Sequence, residues 1–147
     1  MKITIAVDIM GGDNPASELA LGAVSAAKMF AADGLELILV ATPEAAKTLP
    51  ELPANVSVRT AEGVVEMTDD PGIVMKDKKD STLVLACNLC KEGIADAVVS
   101  AGNTGALFTA ASLIIRRIKG VRRAALGSVI PLESPFVLLD CGANLDA

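Results

Sequence analysis

Apolar residues in this chain come in short unbroken runs, separated by polar, glycine-bearing turns and by longer stretches with helical spacing. The runs at 2–8, 35–41, 97–100, 124–130 and 136–140 read as strands, and 56–59 as a shorter, more polar one. Asn14 caps a predicted helix with Pro15 at its first position and Glu18 in its first turn, running to about Ala32, where Asp33-Gly34 stops it. Pro43 opens a short helix ending near Leu49. The stretch 62–70 reads as a loop with a brief strand at Val64-Val65. Pro71 starts a helical turn continuing through 75–79, and Ser81 caps a helix to about Glu92. Asn103 or Thr104 caps the next one, reaching Ile118.

Strands that alternate with helices and lack internal polar positions predict a three-layer α/β/α fold, its sheet largely parallel and Rossmann-like. Ligands in such sheets bind beyond the carboxyl ends of strands. Three glycine turns fall there: Met10-Gly11-Gly12-Asp13-Asn14, Ser100-Ala101-Gly102-Asn103-Thr104-Gly105 and Gly142-Ala143-Asn144-Leu145-Asp146. They predict one shared rim. The run 136–140 reads as a buried strand whose turn should feed a covering helix. Residues 1–147 are therefore expected to form the amino-terminal portion of one α/β domain, incomplete in this chain.

The second turn joins flexible backbone to polar caps and has no acid of its own. Its helix-start amides suit an anion, phosphate foremost. The first turn lacks the G-x-G-x-x-G spacing, and Asp8 and Asp13 bracket it. It reads either as plain turn chemistry or as a second contributor to the anion seat, with Asp13 and Asn14 organising the loop.

With 147 residues and 52% hydrophobic content, one domain has ample core. A net charge of −5, with neither Trp nor Tyr, argues against nucleic-acid binding. Cys87-Asn88-Leu89-Cys90 lies inside a helical run, and the chain has no histidine, so packing outweighs redox or zinc chemistry. Three cysteines, an odd number, fit a reducing compartment. No secretion signal or spanning segment is visible, which makes the expectation cytoplasmic. Arg116, Arg117, Lys119, Arg122 and Arg123 are five of thirteen basic residues, gathered within eight positions. A helix end accounts for two or three of them; the surplus fits docking of an acidic partner. Lys76, Lys78 and Lys79, diluted by Asp77 and Asp80, read as ordinary surface, with Lys76 close enough to a turn to reach a site.

Three segments in register, Ile5-Ala6-Val7-Asp8-Ile9-Met10-Gly11-Gly12-Asp13, Val99-Ser100-Ala101-Gly102-Asn103-Thr104-Gly105-Ala106-Leu107 and Leu138-Leu139-Asp140-Cys141-Gly142-Ala143-Asn144-Leu145-Asp146, carry a specific resemblance. Over essentially its whole length the chain resembles the amino-terminal part of the PlsX-type phosphate acyltransferases. It departs in having Ala124 after Arg122-Arg123 where proline is usual, Lys76 for a common arginine, and Cys141 for an aliphatic residue.

The resemblance implies a fold of the isopropylmalate dehydrogenase and phosphotransacetylase kind. It implies transfer of a long-chain acyl group from an acyl carrier protein thioester to inorganic phosphate, giving acyl phosphate for phospholipid synthesis. No cofactor or metal is implied. A homodimer is expected, with peripheral membrane association of the full-length protein. Gly11, Gly12, Asp13, Ser100, Gly102, Asn103, Thr104, Gly105 and Asn144 become the phosphate- and substrate-binding residues; the catalytic residues stay unassigned. Phosphate is already anionic, so direct attack on the thioester needs no Ser-His or Cys-His nucleophile, and without histidine this segment supplies none. Two other readings stay open: a phosphotransacetylase-like enzyme acting on a small acyl thioester, and a non-catalytic fragment that docks acyl carrier protein.

Overall fold

A computed structural model describes residues 1–122 and 124–139. The chain divides into two compact units, Met1–Ile115 and Arg116–Ala147. In the first, β1 (Ile3–Asp8) lies between β2 (Leu35–Ala41) and β4 (Ala97–Ser100), and β3 (Val56–Thr60) pairs with the outer edge of β2. Every pairing in this order, β3-β2-β1-β4, is parallel. The crossovers are the helices α1 (Ala16–Met29), α2 (Pro43–Ala46), α3 (Val74–Asp77) and α4 (Thr82–Lys91), and α5 (Thr104–Ala110) follows β4.

Alternate residues of a strand face opposite sides, and β2 displays this directly. Leu37, Leu39 and Ala41 pack with Ala20, Ala23 and Ala27 of α1. Ile38 and Val40 pack on the other face with Ala86 and Leu89 of α4. Small residues on α1 let the helix sit close to the sheet. The expected layered, parallel fold is thus present in this unit. Beside α1 the sheet face stays open as an apolar groove of about 650 Å³, floored by Ile3, Ile5, Val7 and Val99. Among the described residues, no helix is long and apolar enough to cross a membrane.

Several local expectations change. Asn14 does not cap α1: the cap position belongs to Pro15, in extended conformation (φ −56°, ψ 146°), and no side chain bonds the first turn. The Pro15 carbonyl instead accepts from the Glu18 and Leu19 amides. Helix α1 stops at Met29 rather than Ala32, and the chain turns through Gly34 at φ +83°. A Cβ there would lie 2.8 Å from the Met1 carbonyl oxygen, so both conformation and space select glycine. Helix α2 is a single turn capped by Thr42. Val64-Val65 forms no strand; one bridge, Gly63 to Ser81, takes its place. A 3₁₀ turn at Pro71–Ile73 leads into α3. Ser81 caps α4 as expected, its hydroxyl oxygen accepting from the Val84 amide at 3.4 Å.

Asn103, not Thr104, caps α5. That helix widens into a π-helical turn at Ala111–Ile115 and ends there, because Arg116 adopts φ +72°. It does not reach Ile118.

The second unit contains β5 (Gly127–Ile130) and β6 (Phe136–Leu139), paired antiparallel, with all four β6 residues exposed. The expectation of a buried parallel strand at 136–140 therefore fails for the described residues. A short connection such as 131–135 can only return the chain antiparallel; a parallel partner needs a long crossover. The third glycine turn with Asn144, together with Cys141 and Arg123, lies outside the described residues.

Cys87 is buried on α4 and Cys90 is half-buried; both are free thiols. Burial, reinforced by Cys90 and Asp8, pushes the Cys87 thiol from 9.0 up to about 12. The packing reading of the C-x-x-C holds. Because the folded state keeps this proton longer than the unfolded chain, Cys87 contributes stability that is present below pH 9 and lost between pH 9 and about 12. Native Cys87 should resist iodoacetamide at pH 8 and react on unfolding, while Cys90 reacts faster; mass spectrometry of each peptide checks this. Fast native labelling of Cys87 would contradict the burial.

Candidate functional site

Parallel pairing of β1 with β4 sets Asp8 directly beside Ser100, each at the carboxyl end of its strand. Asp8 is only 3% exposed. Its Oδ2 accepts the Ser100 hydroxyl proton at 3.0 Å, and its Oδ1 accepts from the Met10 amide at 3.2 Å. The Ser100 Oγ in turn accepts from the Gly102 amide at 3.2 Å. One short hydrogen-bonded chain therefore joins the start of the first glycine turn to the start of the second.

Above it the two turns touch. A Cβ on Gly102 would lie 2.8 Å from the Gly11 carbonyl oxygen and 2.9 Å from the Gly11 Cα. No side chain fits between them. Gly12 packs toward Leu19 of α1 and Ala101, where an added Cβ would stand at 3.1 and 3.3 Å. Gly105 lies against Pro71, whose Cγ would be 2.6 Å from a Cβ.

The 62–81 segment forms the third wall. Asn103 holds it through both ends of its amide: Oδ1 accepts from Ala106 to cap α5, while Nδ2 donates to the carbonyls of Asp69 at 2.9 Å, Met67 at 3.2 Å and Glu66 at 3.4 Å. Lys78 donates to the Val64 carbonyl at 2.9 Å and pairs with the Asp69 carboxylate at 3.2 Å. The Glu66 amide, followed by Lys78, holds the Asp69 carboxyl below its usual range.

The structure brings Gly11, Gly12, Ser100, Gly102, Asn103 and Gly105 together beyond the carboxyl ends of β1 and β4, with Thr104 opening α5 beside them. Asp13 is exposed on the first turn. The second turn carries no acid of its own, but the fold brings one to it. Asp8 lies 92 positions away in sequence, and the strand register brings it against Ser100. Ser100 itself directs its one proton into the protein.

Asp8, Asp69, Pro71 and Lys78 went unassigned in the sequence. An acid at the end of an otherwise apolar strand was the available signal for Asp8. Lys78, not Lys76, is the lysine that reaches the wall of the site; Lys76 is exposed. Among the described members of the basic run, Arg116, Arg117, Lys119 and Arg122 are exposed in the second unit, and Arg117 donates to the Arg122 carbonyl. The described residues contain no cluster of His, Cys, Asp and Glu able to hold a metal ion.

The profile of the family described as "Fatty acid synthesis protein" matches residues 3–147. The chain belongs to this family. Among curated proteins it is similar to "Phosphate acyltransferase" of Desulfitobacterium hafniense, with 48% identity covering 97% of this chain and 43% of that one. The proteins of the same name from Bacillus licheniformis and Lawsonia intracellularis are 43% and 42% identical, over 97% and 99% of this chain. The chain spans less than half the length of these relatives, 43% and 42% for the last two. For this fatty acid synthesis family member, the matched segment includes both described glycine turns and all three walls of the site.

The packed glycines make a clear contrast with Gly22 of α1, which has nothing within 4 Å of its Cβ position. Gly102→Ala should lower stability by about 1–3 kcal/mol through overpacking, whereas Gly22→Ala should raise it by roughly 1 kcal/mol through helix propensity. Thermal melts of the two variants check this. Equal effects would show that the turns are not in contact.

Proposed function

We propose that this chain is the amino-terminal part of a phosphate acyltransferase that moves a long-chain acyl group from acyl carrier protein to inorganic phosphate, giving acyl phosphate. The observation that carries the reading is the contact of two glycine turns at the carboxyl ends of adjacent parallel strands, where α/β sheets bind their ligands. The name shared by the relatives supports the reaction class.

Phosphate sits at the rim, with Gly11, Gly12, Gly102, Asn103, Thr104 and Gly105 supplying backbone approach and amide donors. Asp13 organises the first of these turns. Attack of a phosphate oxygen on the thioester carbonyl forms the new C–O bond and a tetrahedral oxyanion, which backbone donors stabilise. Collapse breaks the C–S bond and releases the carrier thiolate. No covalent acyl-enzyme, cofactor or metal is required. The enzyme works in the cytoplasm as a homodimer, peripherally at the inner face of the membrane.

Arg116, Arg117, Lys119, Arg122 and Arg123 receive acyl carrier protein, an acidic partner, on an enzyme segment with a net charge of −5. Charge reversal of Arg116 and Arg122 should raise the KM for acyl carrier protein several-fold at low ionic strength and have little effect near 0.5 M salt. Phosphate KM should not move. An effect that persists in high salt would assign these residues to the fold instead.

The binding half of the reading is tested by calorimetry. The folded chain should bind inorganic phosphate saturably, and Gly102→Val should weaken that binding at least about tenfold. Failure of the unsubstituted chain to bind phosphate overturns the reading. For turnover, acyl phosphate formation by this chain should fall far below that of the Desulfitobacterium relative; no acyl phosphate from the relative would remove the reaction assigned here.

A further inference from the structure

We propose that Asp8 and Ser100 are a positioning pair that fixes the spacing of the two glycine turns, with the Ser100 hydroxyl acting as a link inside the protein rather than as a ligand of the bound anion. The inference rests on the anion-binding reading given above. Three observations carry it. Asp8 is buried, yet both its carboxylate oxygens are engaged, one by Ser100 and one by the Met10 amide. Ser100 is engaged on both sides, donating to Asp8 and accepting from Gly102. The turns that these bonds anchor meet at a contact too tight for a Cβ.

The chemistry gives the chain of bonds a direction. A carboxylate can only accept, so the single Ser100 proton must point to Asp8, and the lone pairs of Oγ are left for the Gly102 N–H. The hydroxyl-to-carboxylate bond is charge-assisted and stronger than a neutral one. With that proton committed and no histidine in the chain to remove it, Ser100 is a poor candidate for a nucleophile. Its oxygen instead accepts from the Gly102 N–H and so holds the start of the second turn. Losing either partner frees both turns.

The test combines amide hydrogen exchange with phosphate affinity in the 147-residue chain. Ser100→Ala should speed exchange at Gly102 and also at Met10, and Asp8→Asn should do the same. Each variant should weaken phosphate binding about tenfold, the loss expected for one broken charge-assisted bond. The double variant should be no worse than the weaker single one, because both remove the same link. Ser100→Thr, which keeps the hydroxyl, should restore affinity and protection.

Additive losses, or exchange changes confined to the amide next to each substitution, would overturn the pair. Should phosphate bind the parent chain and all variants equally, the positioning role fails while the anion reading survives. Should the parent bind no phosphate yet show the coupled exchange, the anion reading fails and the link between the turns stands.

Discussion

The register of β1 against β4 is the constraint on which the rest of this site depends. It sets Asp8 beside Ser100, and everything above follows from that juxtaposition. Had the pairing slipped by one residue, Asp8 would face the opposite side of the sheet from Ser100. The hydrogen-bonded link could not form, and the two turns would leave their strands at different heights. The register is itself held by burial: Ala6 and Ile9 are fully buried, on opposite faces of the sheet. The apolar core thus fixes the geometry of the polar site at its edge.

That division of labour explains the choice of glycine. Gly11 and Gly102 are not needed for unusual dihedral angles, since neither adopts positive φ. They are needed because two backbones meet where no side chain fits. Gly34, at φ +83°, illustrates the other use of the residue, at a turn remote from the site. The close approach also orders the surroundings. Asn103 spends its whole amide on holding α5 and the 66–69 carbonyls together, and Lys78 with Asp69 secures the same wall.

Much of the fold was legible in sequence because continuous apolar runs are strong signals. The strands Leu35–Ala41 and Ala97–Ser100 end where the pattern places them, and Ser81 and Asn103 cap their helices. What escaped was tertiary. Asn14 precedes a proline, as a helix cap often does, but Pro15 itself takes the cap position in extended conformation. The run at 136–139 is as apolar as a buried strand, yet it pairs antiparallel and exposed, because hydrophobicity alone does not specify a partner. Asp8 escaped as a member of the second turn, since only the sheet brings it there. Composition did not foretell the wall built by Lys78, whose neighbours in sequence looked like ordinary charged surface.

The central claim is that an anion is held where the two turns meet. A titration of the isotopically labelled chain with inorganic phosphate, followed through its backbone amide resonances, tests it most directly. The amides of Gly12, Asn103, Thr104 and Gly105 should shift first and saturate together, with Val99 and the β3 amides unmoved. Shifts centred instead on Arg116–Arg122, or spread evenly over the basic residues, would contradict the account.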